Sequence, residues 1–98
     1  MKKLSFVIPC YNSQKTIECV VHLINEVVSE KNTFDYEIIL INDFSQDETS
    51  TIIEKMARQN KNIIAINFSR NFGQHAALMA GFRHSSGDIV IYLDDDGQ

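Results

Sequence analysis

The sequence predicts an α/β domain: a Rossmann-like, three-layer α/β/α arrangement around a mainly parallel, four-stranded sheet. Three observations carry that expectation. Four short apolar runs, "LSFVIP" (4–9), "YEIILI" (36–41), "NIIAIN" (62–67) and "DIVIYL" (88–93), are rich in Ile, Val, Phe and Tyr. Their hydrophobicity is nearly continuous, as in strands buried on both faces by covering helices. Three longer segments of helical period separate them, so the order reads β-α-β-α-β-α-β, and right-handed crossovers then make the strands parallel.

The first run follows "MKK" and precedes Cys10, and Ser5 interrupts it. It is too short for a secretory h-region of roughly 7–15 apolar residues and reads as a strand. In the first helix Ile17, Val20, Val21, Ile24, Val27 and Val28 form a stripe, with Asn12 or Ser13 as the N-cap. Its β-branched residues are poor helix formers, so packing against the sheet must hold it.

The second helix opens with "SQDE" (45–48), which predicts a capping box between Ser45 and Glu48. Asp47 and Glu48 also suit the positive end of the helix dipole. Ile52, Ile53, Met56 and Ala57 would face the sheet, and "NKN" (60–62) ends the helix. The third helix lies within "GQHAALMAGFRHSSG" (73–87), where Ala76, Ala77, Ala80 and Gly81 make a thin side. Gly81 costs roughly 1 kcal/mol relative to Ala in a helix interior, which points to close packing there.

The totals suit one domain. The chain has 98 residues, nine Lys and Arg against 13 Asp and Glu, and a formal charge of −4. That balance argues against a nucleic-acid partner, which selects for basic patches. No segment approaches the ~20 apolar residues of a membrane span. Cys10 and Cys19 fit neither a CxxC redox pair nor a zinc knuckle, so reduced thiols in the cytoplasm are expected.

Ligands of open α/β sheets bind beyond the carboxyl ends of the strands. Those ends carry "PCYNS", "NDFSQD", "SRNFGQH" and "DDDGQ". One edge of the domain thus collects Asn12, Asn42, Asp43, Asp47, Arg70, Asn71 and the aspartates Asp94, Asp95 and Asp96. Neither GxGxxG nor GxxxxGK[ST] occurs, so a phosphorylated ligand would need another source of positive charge. A divalent cation on the aspartates, shared with substrate phosphates, is one such source. In extended chain Asp94 and Asp96 point the same way, ~6–7 Å apart, and Asp95 points opposite. A solvated acidic strand end is the other reading. His75 reads as a helix N-terminal residue and not a ligand, and His22 and His84 have no partner pattern.

Taken together, "VIPCYNS", "INDFSQDET" and "SRNFGQHAALMAGFRHSSGDIVIYLDDDGQ" resemble the family 2, GT-A-fold glycosyltransferases over essentially the whole chain. The long block from Arg70 to Val90 is most similar to the polyprenyl-phosphate branch, which includes dolichyl-phosphate mannose synthase and bacterial undecaprenyl-phosphate glycosyltransferases. The resemblance implies that Pro9, Tyr11 and Asn12 form the first nucleotide-binding turn, where Ser13 replaces the usual Glu. It matches Asn42, Asp43, Phe44 and Ser45 to Asp-Asp-Gly-Ser, making Asp43 the carboxylate that recognises the base. Phe44 there replaces a glycine, so φ > 0 is costly at that position, and its side chain would narrow the pocket. Asp94, Asp95 and Asp96 match the DxD motif. Asp94 and Asp95 are then assigned to the donor, Asp94 and Asp96 to Mg²⁺ or Mn²⁺, and Arg70, Asn71 and Gly73 to the donor wall.

The same resemblance implies an inverting transfer of sugar from a UDP- or GDP-linked donor to polyprenyl phosphate in cell-envelope synthesis. Residues 1–98 would be the nucleotide-sugar-binding part, inactive alone. The catalytic base, the acceptor site and any membrane association at the cytoplasmic face of the inner membrane would lie in a missing C-terminal part. An uncovered sheet edge would then favour self-association into a homo-oligomer. Two other readings stand beside this one. The first is a family 2 enzyme acting on a saccharide hydroxyl, and the second is a non-catalytic doubly wound domain binding a nucleotide or protein partner.

Overall fold

Each apolar run becomes a strand and each periodic segment a helix. A computed structural model describes residues 2–31 and 34–94. The elements are β1 (Lys2–Cys10), α1 (Ile17–Lys31), β2 (Phe34–Asn42), α2 (Thr49–Gln59), β3 (Ile63–Asn67), α3 (Gln74–His84) and β4 (Ile89–Tyr92). The sheet order is β3-β2-β1-β4 and every pairing is parallel. The three-layer α/β/α arrangement with a parallel four-stranded sheet is therefore the observed fold.

Strand alternation distributes the core between two faces. Leu4, Phe6, Ile8 and Cys10 of β1 join Ile38 and Leu40 of β2 against the α1 stripe and Ile53 of α2. The intervening Val7, Ile39 and Ile41 pack with Ala77 of α3 on the other face. Because α1 and α2 lie on one side and α3 on the other, the chain reverses its course across the sheet between β1 and β4. Gly81 allows α3 its close approach, since a Cβ there would run into Val7 Cγ1 and Ile41 Cδ1.

Four expectations change. Val27 is 57% exposed; at 3.6 residues per turn it lies about 80° around the helix from Ile17, off the stripe. Neither Asn12 nor Ser13 caps α1 through its side chain. Ser13 Oγ instead accepts the Tyr11 N–H at 3.0 Å, and Asn12 Oδ1 accepts the Gln46 N–H at 2.9 Å. The capping box is absent too: α2 begins at Thr49, whose N–H and O–H go to Asp47 Oδ1 at 3.0 and 2.5 Å. Finally, β4 is an edge strand with Ile89, Val90 and Tyr92 exposed, because β1 is its one described neighbour in the sheet.

A buried polar knot anchors the start of β4. Glu37, 6% exposed, accepts the Ser5 O–H at 2.6 Å and the Ser86 N–H at 2.7 Å. Lys3 Nζ lies 3.6 Å from the Glu37 carboxylate and donates to Ser86 Oγ at 2.6 Å. Lys3 N–H also reaches Asp88 Oδ2 at 2.9 Å. The turn between α3 and β4 is thereby tied to β1 and β2.

Candidate functional site

The carboxyl ends of the strands gather around a cleft of about 540 Å³. It is lined by Pro9, Cys10 and Tyr11 at the end of β1, Asp43 just after β2, Asn71, Gly73 and Gln74 at the start of α3, and Asp94 after β4. Its position between β1 and β4 is where the crossovers change side, the place where α/β sheets open a ligand crevice.

The first two loops are braced against each other before they face any ligand. Asn12 N–H donates to Ser45 Oγ at 2.9 Å, Ser13 N–H to Thr49 Oγ1 at 2.8 Å and Gln14 N–H to Asp47 Oδ2 at 3.2 Å. In return Gln14 Oε1 accepts the Glu48 N–H at 2.9 Å. Asn12 holds its left-handed backbone at φ 51 within this lattice, a conformation Asn tolerates better than most residues. Burial raises the Asp47 carboxyl, but hydrogen bonds from the Thr49 O–H, the Thr49 N–H and the Gln14 N–H outweigh it. The group therefore titrates below its ordinary 3.8.

Asp43 ties the third loop to β2. Its buried carboxylate accepts the Phe72 N–H at 2.8 Å and the Gly73 N–H at 2.9 Å, while its own N–H donates to Cys10 O at 3.0 Å. Gly73 sits at φ +94, which L side chains rarely adopt, and places its N–H for that bond. A carboxylate offers about four lone-pair positions, so Asp43 keeps acceptor capacity for a ligand.

Six of the residues predicted from sequence meet at the cleft: Pro9, Tyr11, Asp43, Asn71, Gly73 and Asp94. Three do not line it. Asn12 braces the second loop. Asn42 is buried, with Nδ2 on Asn67 Oδ1 at 2.9 Å and Oδ1 taking the Ser45 N–H and O–H. Arg70 stands 5.0 Å from the centroid of the Phe72 ring, a cation–π contact. Asp95 and Asp96 lie outside the described residues. Phe44 adopts φ 57 in spite of its side chain, is 44% exposed and is absent from the cleft wall, so it does not narrow the pocket.

The sequence reading missed Cys10, Gln74 and Tyr92. Cys10 is the last residue of β1, a buried thiol whose Sγ–H donates to Ile8 O at 3.4 Å. Gln74 follows Gly73 at the first position of α3, and its Nε2 donates to the Tyr92 hydroxyl. Tyr92 in turn donates to Asp94 Oδ1 at 2.7 Å. The available signal was spacing: residues 92 and 94 are two apart at a strand end and share a side of the chain.

The donor chemistry suits a hard cation. Asp94 supplies carboxylate oxygen at the cleft wall, and Mg²⁺ or Mn²⁺ takes one or two such groups plus water and phosphate oxygens. Among the described residues no group of three or more His, Cys, Asp or Glu side chains forms a closed cage. Nor, among them, is any helix long and apolar enough to cross a membrane.

An open parallel sheet with a polar cleft at its point of reversal defines the doubly wound class of ligand-binding α/β domains. The chain belongs to glycosyl transferase family 2, whose family profile matches residues 5–98. It is similar to S. aureus TarS 1-349 in complex with UDP, with 28% identity and a TM-score of 0.74 over 96% of this chain and 27% of that one. The same TarS fragment with UDP-GlcNAc matches at 27% identity and TM-score 0.71, over 98% of this chain and 27% of that one. The mannosyltransferase PcManGT from Pyrobaculum calidifontis, in complex with GDP-Man and Mn2+, matches at TM-score 0.82 over 97% of this chain and 28% of that one. Its identity is 23%, and that likeness is one of fold. The chain spans little more than a quarter of the length of these solved chains.

Proposed function

We propose that this chain binds the nucleotide part of a nucleotide-sugar for an inverting transfer to a polyprenyl phosphate in cell-envelope glycan synthesis. The observation that carries the reading is the cleft itself, where Asp94 stands with Asp43 and the turn from Pro9 to Tyr11 at the reversal of a family 2 fold. The TarS structures with UDP and UDP-GlcNAc make a uridine nucleotide the first donor to test. The block from Arg70 to Val90, whose sequence resembles the lipid-carrier branch, is the support for the acceptor class.

On this reading Pro9, Tyr11, Asn71 and Gly73 contact the nucleoside and ribose, and Asp43 both shapes the third loop and accepts a hydrogen bond from the base. Asn12, Asn42 and Arg70 act by bracing the loops that present those groups. Asp94 and Asp96 hold Mg²⁺ or Mn²⁺, and Asp95 completes the donor shell. The bound cation supplies charge stabilisation for the departing diphosphate. The bond from the anomeric carbon to the diphosphate oxygen breaks, its electron pair leaving with the nucleotide, as an acceptor phosphate oxygen bonds to the opposite face. A phosphate monoester has a second pKa of about 6, so that nucleophile is already largely anionic and needs no strong base.

Calorimetric titration of UDP and GDP into the protein, with Mn²⁺ or with EDTA, tests the donor reading. Mn²⁺-dependent binding that is lost in Asp94→Asn is the expected result; equal binding with EDTA favours a non-catalytic nucleotide-binding domain. A division of labour with other residues predicts no sugar transfer by residues 1–98 alone, and detectable transfer overturns it. In membranes carrying the whole enzyme, label from a nucleotide-sugar should enter lipid extractable by organic solvent. Label confined to polysaccharide assigns a hydroxyl acceptor instead.

A further inference from the structure

Asp94 does not have the setting of a free aspartate at a strand end. Its Oδ1 accepts the Tyr92 O–H at 2.7 Å, and the Tyr92 oxygen accepts a hydrogen bond from Gln74 Nε2–H. The direction of this chain follows from chemistry. An amide nitrogen only donates, so the phenol must accept there and donate its own O–H to the carboxylate. A phenol that already accepts a hydrogen bond is a stronger donor, so the two bonds reinforce each other.

The chain also joins the two anionic sides of the cleft. Asp43 holds the Gly73 N–H, Gly73 leads directly into Gln74, and Gln74 reaches Asp94 through Tyr92. The residue before α3 is thereby fixed by the carboxylate that follows β2, and the first residue of the helix bears on the carboxylate that follows β4. Tyr92, Gln74 and Asp94 are all exposed, on an edge strand and a helix start. Without a partner, an exposed carboxylate samples several rotamers and must be ordered when its ligand arrives.

We propose that Tyr92 and Gln74 are positioning residues for cation-dependent donor binding: they hold Asp94 by Oδ1 and leave Oδ2 as the oxygen that meets the cation. This rests on the reading of the cleft as a donor site. Groups hydrogen-bonded to a metal ligand orient it and raise its affinity, and removing one costs roughly 10–100-fold in metal binding.

The test uses Mn²⁺ and UDP on the wild type, Tyr92→Phe, Gln74→Leu and the double variant. Bound Mn²⁺ is read by electron paramagnetic resonance, UDP binding by calorimetry with Mn²⁺ or EDTA, and folding by the thermal midpoint. Each single variant is expected to weaken Mn²⁺-dependent binding about ten-fold. In Tyr92→Phe, whose hydroxyl lies off the cleft wall, UDP binding in EDTA and the midpoint should stay at the wild-type values, and the double variant should lose no more of the Mn²⁺-dependent part than Tyr92→Phe, since the two residues act in series. Mn²⁺-dependent binding within about two-fold of wild type in Tyr92→Phe overturns the proposal. So does an equal loss with and without the cation, which would mark a structural role. If the wild type itself binds no UDP with Mn²⁺, the donor-site reading fails and this proposal falls with it.

Discussion

The Asp43 carboxylate holds the backbone N–H of Gly73 at 2.9 Å, joining the end of β2 to the start of α3 across thirty residues of chain. The companion bond to the Phe72 N–H makes the latch two-pronged. A side chain that reads as a ligand contact in the sequence is thus also the element that shapes the cleft.

Asp43→Asn sets an NH₂ group against one of those two backbone donors. Hydrogen bonds to a charged partner contribute about 1.5–3 kcal/mol each, so a loss of about 2 kcal/mol in urea unfolding is expected. Binding of UDP should weaken in parallel, because the loop carrying Asn71, Gly73 and Gln74 loses its anchor. Wild-type stability in this variant would remove the latch from the account.

Phe44 occupies φ 57 with its side chain 44% exposed. The left-handed region costs an L-residue roughly 1–2 kcal/mol, against roughly 0.5–1 kcal/mol of extra unfolded-chain entropy for Gly. Phe44→Gly should therefore stabilise the fold by about 0.5–1 kcal/mol, seen as a raised urea midpoint, without altering UDP affinity.

At Gly81 two effects oppose each other. Ala gains roughly 1 kcal/mol of helix propensity, but its Cβ would meet Val7 Cγ1 and Ile41 Cδ1 in a packed face. Overpacking of this kind costs about 1–3 kcal/mol and should win. The expected outcome for Gly81→Ala is a lower thermal midpoint, by about 4–8 °C for each kcal/mol in a domain of this size. A raised midpoint would mean that α3 shifts outward freely.

The Glu37 knot predicts a pH dependence. Burial pushes this carboxyl up, but hydrogen bonds from the Ser5 O–H and from the Ser86 N–H and O–H, with the Lys3 ammonium, outweigh it. The pKa therefore lies below the ordinary 4.5. The unfolded chain then binds the proton more tightly than the folded one, so the contribution to stability is fully present above pH 4.5. It is lost as the pH falls through the folded value. Glu37→Gln should be less stable at neutral pH and should flatten the stability curve below that point, measured as urea midpoints across an acid series.

Much of the fold was legible in the sequence, because strand and helix periods record burial face by face. The four apolar runs lie within or beside the observed strands, and Ala77 and Gly81 mark the side of α3 that meets the sheet. The cleft was legible in part, since strand ends are polar for a reason that depends on topology alone. What could not be read was how each polar side chain is used. Asn12, Asn42 and Asp47 look like Asp43 and Asn71 in composition, yet they hydrogen-bond to neighbouring loops and strands instead of lining the cleft.

The sequence by itself determined the order of elements, the parallel sheet and the edge of the domain where the polar strand ends gather around the cleft. These follow from the pattern of hydrophobic burial, which is written over a few residues at a time. Only the tertiary structure decided that Asp43 latches the third loop, that Glu37 pins the start of β4, and that Gln74 and Tyr92 hold Asp94. Most of these bonds join groups far apart along the chain, and Tyr92 and Asp94, though near neighbours, meet only in the geometry of the strand end. A hydrogen bond requires its donor and acceptor within about 3 Å, a condition that folding alone sets.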